Sequence, residues 1–140
     1  MSTNNPNILI SGASIAGPTL AYWLKRYGFT STVIERAPHL REGGYPVDVR
    51  NEAVQVAKLM GIWPRLQQEK TNFGEISFVN ERNQRISRVN VQAVRKAFDL
   101  DRFWVEIMRG DLAKTLYERT SDEVEYCFGD SIQALKQDDE

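Results

Sequence analysis

The chain has 140 residues, of which 41% are hydrophobic and 26% charged, with 18 Lys and Arg set against 19 Asp and Glu. That balance is globular rather than disordered, and a formal net charge of -1 offers no basic face for nucleic acid. The single cysteine, Cys127, excludes an internal disulfide framework and a cysteine metal cluster, and its setting in the run 124–128 reads as an inert thiol buried in a strand.

Positions 1–24 carry no charged side chain, but the first cation, Lys25, follows the apolar stretch instead of preceding it, as a secretory signal would require. Ser11, Gly12, Ser14, Gly17, Pro18 and Thr19 also interrupt any membrane span, so the expectation is a cytoplasmic protein with no membrane partner. Residues 8–10 read as an apolar strand running into the small-residue turn 11–17. A helix over 15–27 follows, with Leu20, Ala21, Leu24 and Tyr27 at helical spacing and Gly28 as its stop. A second strand, 31–35, ends on Glu35.

This is how a dinucleotide-binding β-α-β unit reads in sequence. Gly12 permits a sharp turn off the first strand, Ser14 is small where backbone must approach a pyrophosphate, and Gly17 lets the helix lie close to the sheet. The N–H groups at the helix start, around Ile15, Ala16 and Gly17, have no intrahelical partner and favour a phosphate. Glu35 stands where a carboxylate accepts both ribose hydroxyls and disfavours a 2′-phosphate, which points to FAD or NAD rather than NADP. A serine-hydrolase elbow fails on the same residues, because position 16 is Ala and the chain has one histidine, His39, in a polar loop.

Residues 36–50, with Pro38, Gly43, Gly44 and Pro46, read as a loop beside the cofactor. Asn51 is placed to cap a helix through about Met60, with Ala53, Val54, Val56, Ala57 and Met60 as its apolar face, Gly61 as terminator, and a further turn or two over 62–68. The period then changes: 73–79 and 85–91 alternate around 80–84, as a β-hairpin does. The stretch 94–102 fits neither period cleanly, and 103–107 reads as a strand. Asp111 is placed to cap a helix through about Arg119, with Leu112, Leu116 and Tyr117 inward, before strands near 124–128 and 131–136 and the acidic end Asp138-Asp139-Glu140.

The order Gly12-Ala13-Ser14-Ile15-Ala16-Gly17-Pro18, Glu35-Arg36-Ala37, Gly43-Gly44-Tyr45-Pro46-Val47-Asp48-Val49-Arg50, Met60-Gly61 and Glu106-Ile107-Met108-Arg109-Gly110-Asp111-Leu112 resembles the FAD-dependent monooxygenases of the p-hydroxybenzoate hydroxylase type. The branch it is most similar to contains flavin-dependent tetracycline-modifying enzymes and actinobacterial polyketide hydroxylases. The resemblance implies an α/β fold: a Rossmann-like FAD-binding β-α-β unit with the beginning of a second sheet. Residues 1–72 and 103–140 would then form the dinucleotide-binding part, and 73–102 a hairpin of the second sheet.

By the same resemblance, Gly12, Ser14, Ile15, Ala16 and Gly17 would hold the FAD pyrophosphate and Glu35 the adenosine ribose. Arg36 is expected near the adenine or ribose, Arg109 on the phosphate or ribityl side, Asp48 beside the flavin and Arg41 in the same loop. The implied reaction is hydroxylation of an aromatic or polyketide-like small molecule, with NADPH or NADH as transient reductant and O₂ as oxygen source. The flavin carries that chemistry, so no catalytic side chain and no metal ligand is assigned. Relatives continue with Asp-Gly and Gly-Asp segments and a substrate sheet, so the expectation is an incomplete domain, catalytically incomplete alone, whose exposed sheet edges invite a complementing chain or self-association. A non-catalytic adenine-dinucleotide-binding fragment and an NAD-binding oxidoreductase domain are the alternatives.

Overall fold

A computed structural model describes residues 7–72 and 74–137, so Phe73 of the expected hairpin and the acidic end Asp138-Asp139-Glu140 lie outside the described residues. In chain order the elements are β1 (Asn7–Ser11), α1 (Ala16–Arg26), β2 (Thr30–Glu35), β3 (Pro46–Arg50), α2 (Glu52–Leu59), α3 (Trp63–Gln68), β4 (Glu75–Val79), β5 (Arg85–Asn90), α4 (Val91–Ala97), a 3-10 turn (Leu100–Arg102), β6 (Trp104–Met108), α5 (Arg109–Thr120) and β7 (Glu125–Phe128). They fall into two compact units, residues 1–45 with 109–140 and residues 46–108. Residues 46–72 and 103–108, grouped by sequence with the dinucleotide-binding part, thus belong to the same unit as the hairpin.

The first unit is built on a parallel sheet of order β1-β2-β7, with Leu9 opposite Thr32, Ile10 opposite Val33, and Val33 opposite Tyr126. Parallel strands need a crossover, and α1 supplies the one between β1 and β2. Ile10, Ala13, Ala21, Val33 and Val124 form the core, with Leu24, Tyr126 and Phe128 packed on it. The buried face of α1 is Gly17, Pro18, Ala21 and Tyr22. Leu20 and Tyr27, which stand at helical spacing with Ala21 and Leu24, are 49% and 76% exposed. The cause is Gly17: a Cβ there would lie 1.9 Å from the Gly12 carbonyl oxygen, so this side of the helix is pressed against the turn and fixes its rotation.

Helix α5 starts at Arg109, directly after β6, so Asp111 lies in its first turn and does not cap it. An acid in that position still opposes the positive end of the helix dipole. Leu112 and Leu116 are buried as expected, while Tyr117 is half-buried, edge-on to Tyr126 at 4.8 Å between ring centroids. Cys127, expected buried, is half-buried because β7 is the outer strand of its sheet. The strand expected at 131–136 does not form. A strand requires a partner ladder, none is offered there among the described residues, and Leu135 is left 85% exposed.

In the second unit β3 and β6 pair antiparallel from Pro46↔Met108 to Arg50↔Trp104. The expected loop 36–50 therefore ends in a strand, with Val49 buried. Asn51 precedes α2, but its side chain makes no capping hydrogen bond; the backbone, at φ 55°, has left the geometry in which an N-cap side chain reaches back. Val54, Ala57 and Met60 are buried, whereas Ala53 faces solvent. β4 and β5 form the hairpin, with an irregularity at Phe78/Val79, and every residue of both strands is exposed.

The ambiguous stretch 94–102 resolves as α4 and the 3-10 turn. The helix starts as early as Val91 because the Asn90 side chain accepts the Ala93 N–H at 2.9 Å and caps it. Arg95 is buried, pairing through Nε with Asp101 at 3.0 Å and lying 4.9 Å from the Trp104 ring centre. Lys70 bonds the same carboxylate and, with Arg95, holds Asp101 below the usual carboxylate range against the opposing effect of burial. No helix among the described residues is long and apolar enough to cross a membrane.

Candidate functional site

A cavity of about 360 Å³ opens in the first unit, walled by Ala13, Ser14, Glu35, Arg41, the Gly43-Gly44 pair and Arg109. Its size is at the lower end of small-molecule sites, roughly 300 to 1,000 Å³. Each wall has a local cause in the sequence.

The turn after β1 is held from both sides. Gly12 adopts φ 110°, open to glycine and strained for other residues, and its N–H donates to the Ile34 carbonyl at 2.7 Å. Gly17 then lies so close to Gly12 that no side chain fits between. Ile15 is at the N-cap position of α1 without a side-chain cap, Ala16 opens the helix, and no acid lies in its first turn. The leading N–H groups thus keep their positive end uncompensated by side chains.

Glu35 ends β2 with both carboxylate oxygens engaged: Oε2 accepts the Ala13 N–H and Oε1 the Ala37 N–H, each at 2.9 Å. The Ala13 bond, then the Ala37 bond, stabilises the charged form and holds the carboxyl below its ordinary value of 4.5; partial burial opposes this, and Arg41 and Arg36 add to the lowering. A carboxylate has about four lone-pair sites, so each oxygen still has acceptor capacity towards a ligand. Glu35 is therefore both a latch on the glycine turn and an acceptor facing the cavity.

Arg109 opens α5, and its Nη2 donates to the Ser14 hydroxyl at 3.1 Å. Its own N–H donates to the Tyr45 carbonyl at 3.2 Å, and the Gly110 N–H to the Gly43 carbonyl at 2.9 Å. A Cβ on Gly110 would meet Gly43 N at 2.7 Å and Gly43 O at 2.8 Å, so the loop and the helix start touch backbone to backbone. Gly43, Gly44 and Gly110 also line the cavity, where sequence reasoning read the first two only as part of a loop beside the cofactor and gave Gly110 no role. Their signal was present as a Gly-Gly pair and a glycine directly after Arg109, but nothing local links the two segments.

Of the expected site residues, the structure brings Ser14, Glu35, Arg41 and Arg109 to one cavity, with Gly12, Ile15, Ala16 and Gly17 shaping the adjoining turn. Arg36 is exposed and lies outside that wall, while its charge acts on Glu35. Asp48 is not part of it; it stands on β3 in the second unit and accepts the Trp104 indole N–H at 2.7 Å. His39 is exposed.

No family model matches the chain. A flavin-dependent monooxygenase of Legionella longbeachae is 35% identical over 135 residues, which are 96% of this chain and 34% of that protein. Over nearly its whole length the chain is similar to flavin-dependent monooxygenases. An uncharacterized protein of Mycobacterium tuberculosis is 38% identical over 131 residues, 94% of this chain and 35% of its own length. The crystal structure of the tetracycline destructase Tet(55) superposes with a TM-score of 0.83 at 35% identity, covering 99% of this chain and 33% of the destructase. The chain thus spans about a third of the length of the flavin-dependent monooxygenases it matches, and it fits a part of the p-hydroxybenzoate hydroxylase type.

Proposed function

We propose that this chain is the FAD-binding portion of a flavin-dependent monooxygenase, in a Rossmann-like arrangement, acting in the cytoplasm on an aromatic or polyketide-like small molecule. The observation that carries the reading is the cavity lined by both an acceptor, Glu35, and a guanidinium, Arg109, beside a glycine turn with an uncapped helix start. These residues fit an adenine dinucleotide. Glu35 would accept the ribose hydroxyls, Arg109 and the N–H groups after Gly12 would hold the pyrophosphate, and Arg41 would add a positive charge from the loop. Arg36 would act on the same end through its charge. Asp48, with its own partner in Trp104, is assigned to the flavin end by the resemblance to the family alone.

FAD, when bound, supplies two-electron redox chemistry at the expense of NADPH or NADH, and the transfer of one oxygen atom of O₂ to an electron-rich substrate. The chain's own residues bind and orient. A cavity of about 360 Å³ holds part of such a cofactor, which favours binding by this chain without turnover. The outer strand β1, with Leu9 56% exposed, would accept a further strand from a complementing chain or a second copy.

Titration of the purified chain with FAD, followed by flavin fluorescence and absorbance, tests the reading. Saturable uptake, weakened by Glu35→Ala, is expected. No uptake at high FAD would overturn it for this chain, and uptake of NAD in place of FAD would favour an NAD-binding oxidoreductase domain.

A further inference from the structure

We propose that Ser14 is the positioning residue for Arg109, so that the hydroxyl and the guanidinium read a phosphate group in the cavity as a pair. This rests on the dinucleotide reading of the cavity and goes beyond it by assigning the phosphate discrimination to a side chain that a glycine in the usual fingerprint could not supply.

Glycine at position 14 would offer backbone alone. Serine adds one donor and two acceptor lone pairs, and here an acceptor site is used by Arg109 Nη2 at 3.1 Å. The two residues are remote in sequence yet line the same cavity. With that acceptor engaged, the hydroxyl proton and the remaining guanidinium N–H groups are left for a ligand. A planar fork of donors matches the paired oxygens of a phosphate, which a point charge on lysine would not.

The pairing also removes freedom from the one mobile part of the arginine. The Arg109 backbone is fixed, through its own N–H on Tyr45 and that of Gly110 on Gly43, but its side chain is exposed. An exposed arginine loses considerable rotamer entropy when a ligand immobilises it. Anchoring it on Ser14 before the ligand arrives lowers that loss, which is the physical content of preorganisation. The class of ligand selected is a pyrophosphate or phosphate ester carried on a nucleoside, not the nucleoside itself.

The test is calorimetric titration of the full 140-residue chain with ADP, adenosine and FAD. Wild type is expected to bind ADP more tightly than adenosine. Ser14→Ala and Ser14→Gly should each weaken ADP about fivefold to tenfold, the scale of one ordinary hydrogen bond, and leave adenosine unchanged. In an Arg109→Ala background, Ser14→Ala should cost clearly less than it does in the wild type, because only the hydroxyl's own bond to the ligand is then lost. Far-UV circular dichroism melts of each variant separate a folding defect from a binding one. Wild-type affinity for ADP in Ser14→Ala, or losses that multiply in the double variants, would overturn the pairing. A wild-type chain that binds ADP but not FAD would leave the pairing standing and overturn the flavin reading; one that binds neither would remove both.

Discussion

Gly17 and Glu35 show how much a single position in this chain must do. Gly17 is glycine because its Cα faces the Gly12 carbonyl, where a methyl group would sit at 1.9 Å. Gly17→Ala is therefore expected to destabilise by about 3 kcal/mol, since backbone must move to make room, and denaturant midpoints will register it. Glu35 makes a pH prediction. Its folded-state pKa is depressed, so the stability it contributes is fully present above 4.5 and is lost as pH falls through the lower folded value. Glu35→Gln keeps the shape but offers a single acceptor oxygen, so urea unfolding should find it weaker than wild type near neutrality and equal to it in strong acid. A gap that stays constant down to acid pH would show that the charge plays no part. Gly12, Gly17 and Glu35 were legible because the unit that needs them is local. Gly110 was not, because the Gly43 backbone it must clear belongs to a distant segment.

Among the elements, those with a local period were readable and those depending on a remote partner were not. α1 and β2 run close to the expected bounds, and the hairpin of β4 and β5 follows from alternation. β3 was hidden inside a segment whose glycines and prolines speak for a loop; Val47 and Val49 alternate, but the pairing that makes them a strand comes from Ile107 and Val105. The opposite error fell at 131–136, where alternation has no ladder to join. Burial divides the elements as sharply. Leu66 of α3 is fully buried and Ile86 of β5 is 69% exposed. Leu66→Ala should cost about 2 to 5 kcal/mol, whereas Ile86→Ser should stay within about 0.5 kcal/mol. Thermal melts of the two variants side by side make the comparison, and a large loss from Ile86→Ser would mean that the hairpin is covered in solution.

On the scale of the whole chain, the sheet of the first unit is completed by β7, so that Val33 on β2 waits for Tyr126, 93 positions later, to pair. Such non-local pairing slows folding and leaves strand edges open meanwhile. The proposed association through β1 predicts a sedimentation coefficient that rises with concentration, and Leu9→Lys should abolish the rise by placing a charge on the edge. A coefficient that stays at the monomer value over the whole range would remove self-association. The family resemblance was recoverable from sequence because its motifs keep their order; the division after Tyr45 was not, since it is a matter of which segments touch.

The hydrogen bond from Arg109 to Tyr45 has a consequence for how such a protein can change. Residues 46–108 leave the first unit at Tyr45 and re-enter it at Arg109, and these two backbones are only 3.2 Å apart from N to O. The chain between them is thus a closed excursion that starts and ends at neighbouring backbones of the first unit. It could be lengthened, exchanged or trimmed while the chain on either side of it keeps its course. Sequence change between positions 46 and 108 can therefore accumulate without moving the glycine turn or the start of α5.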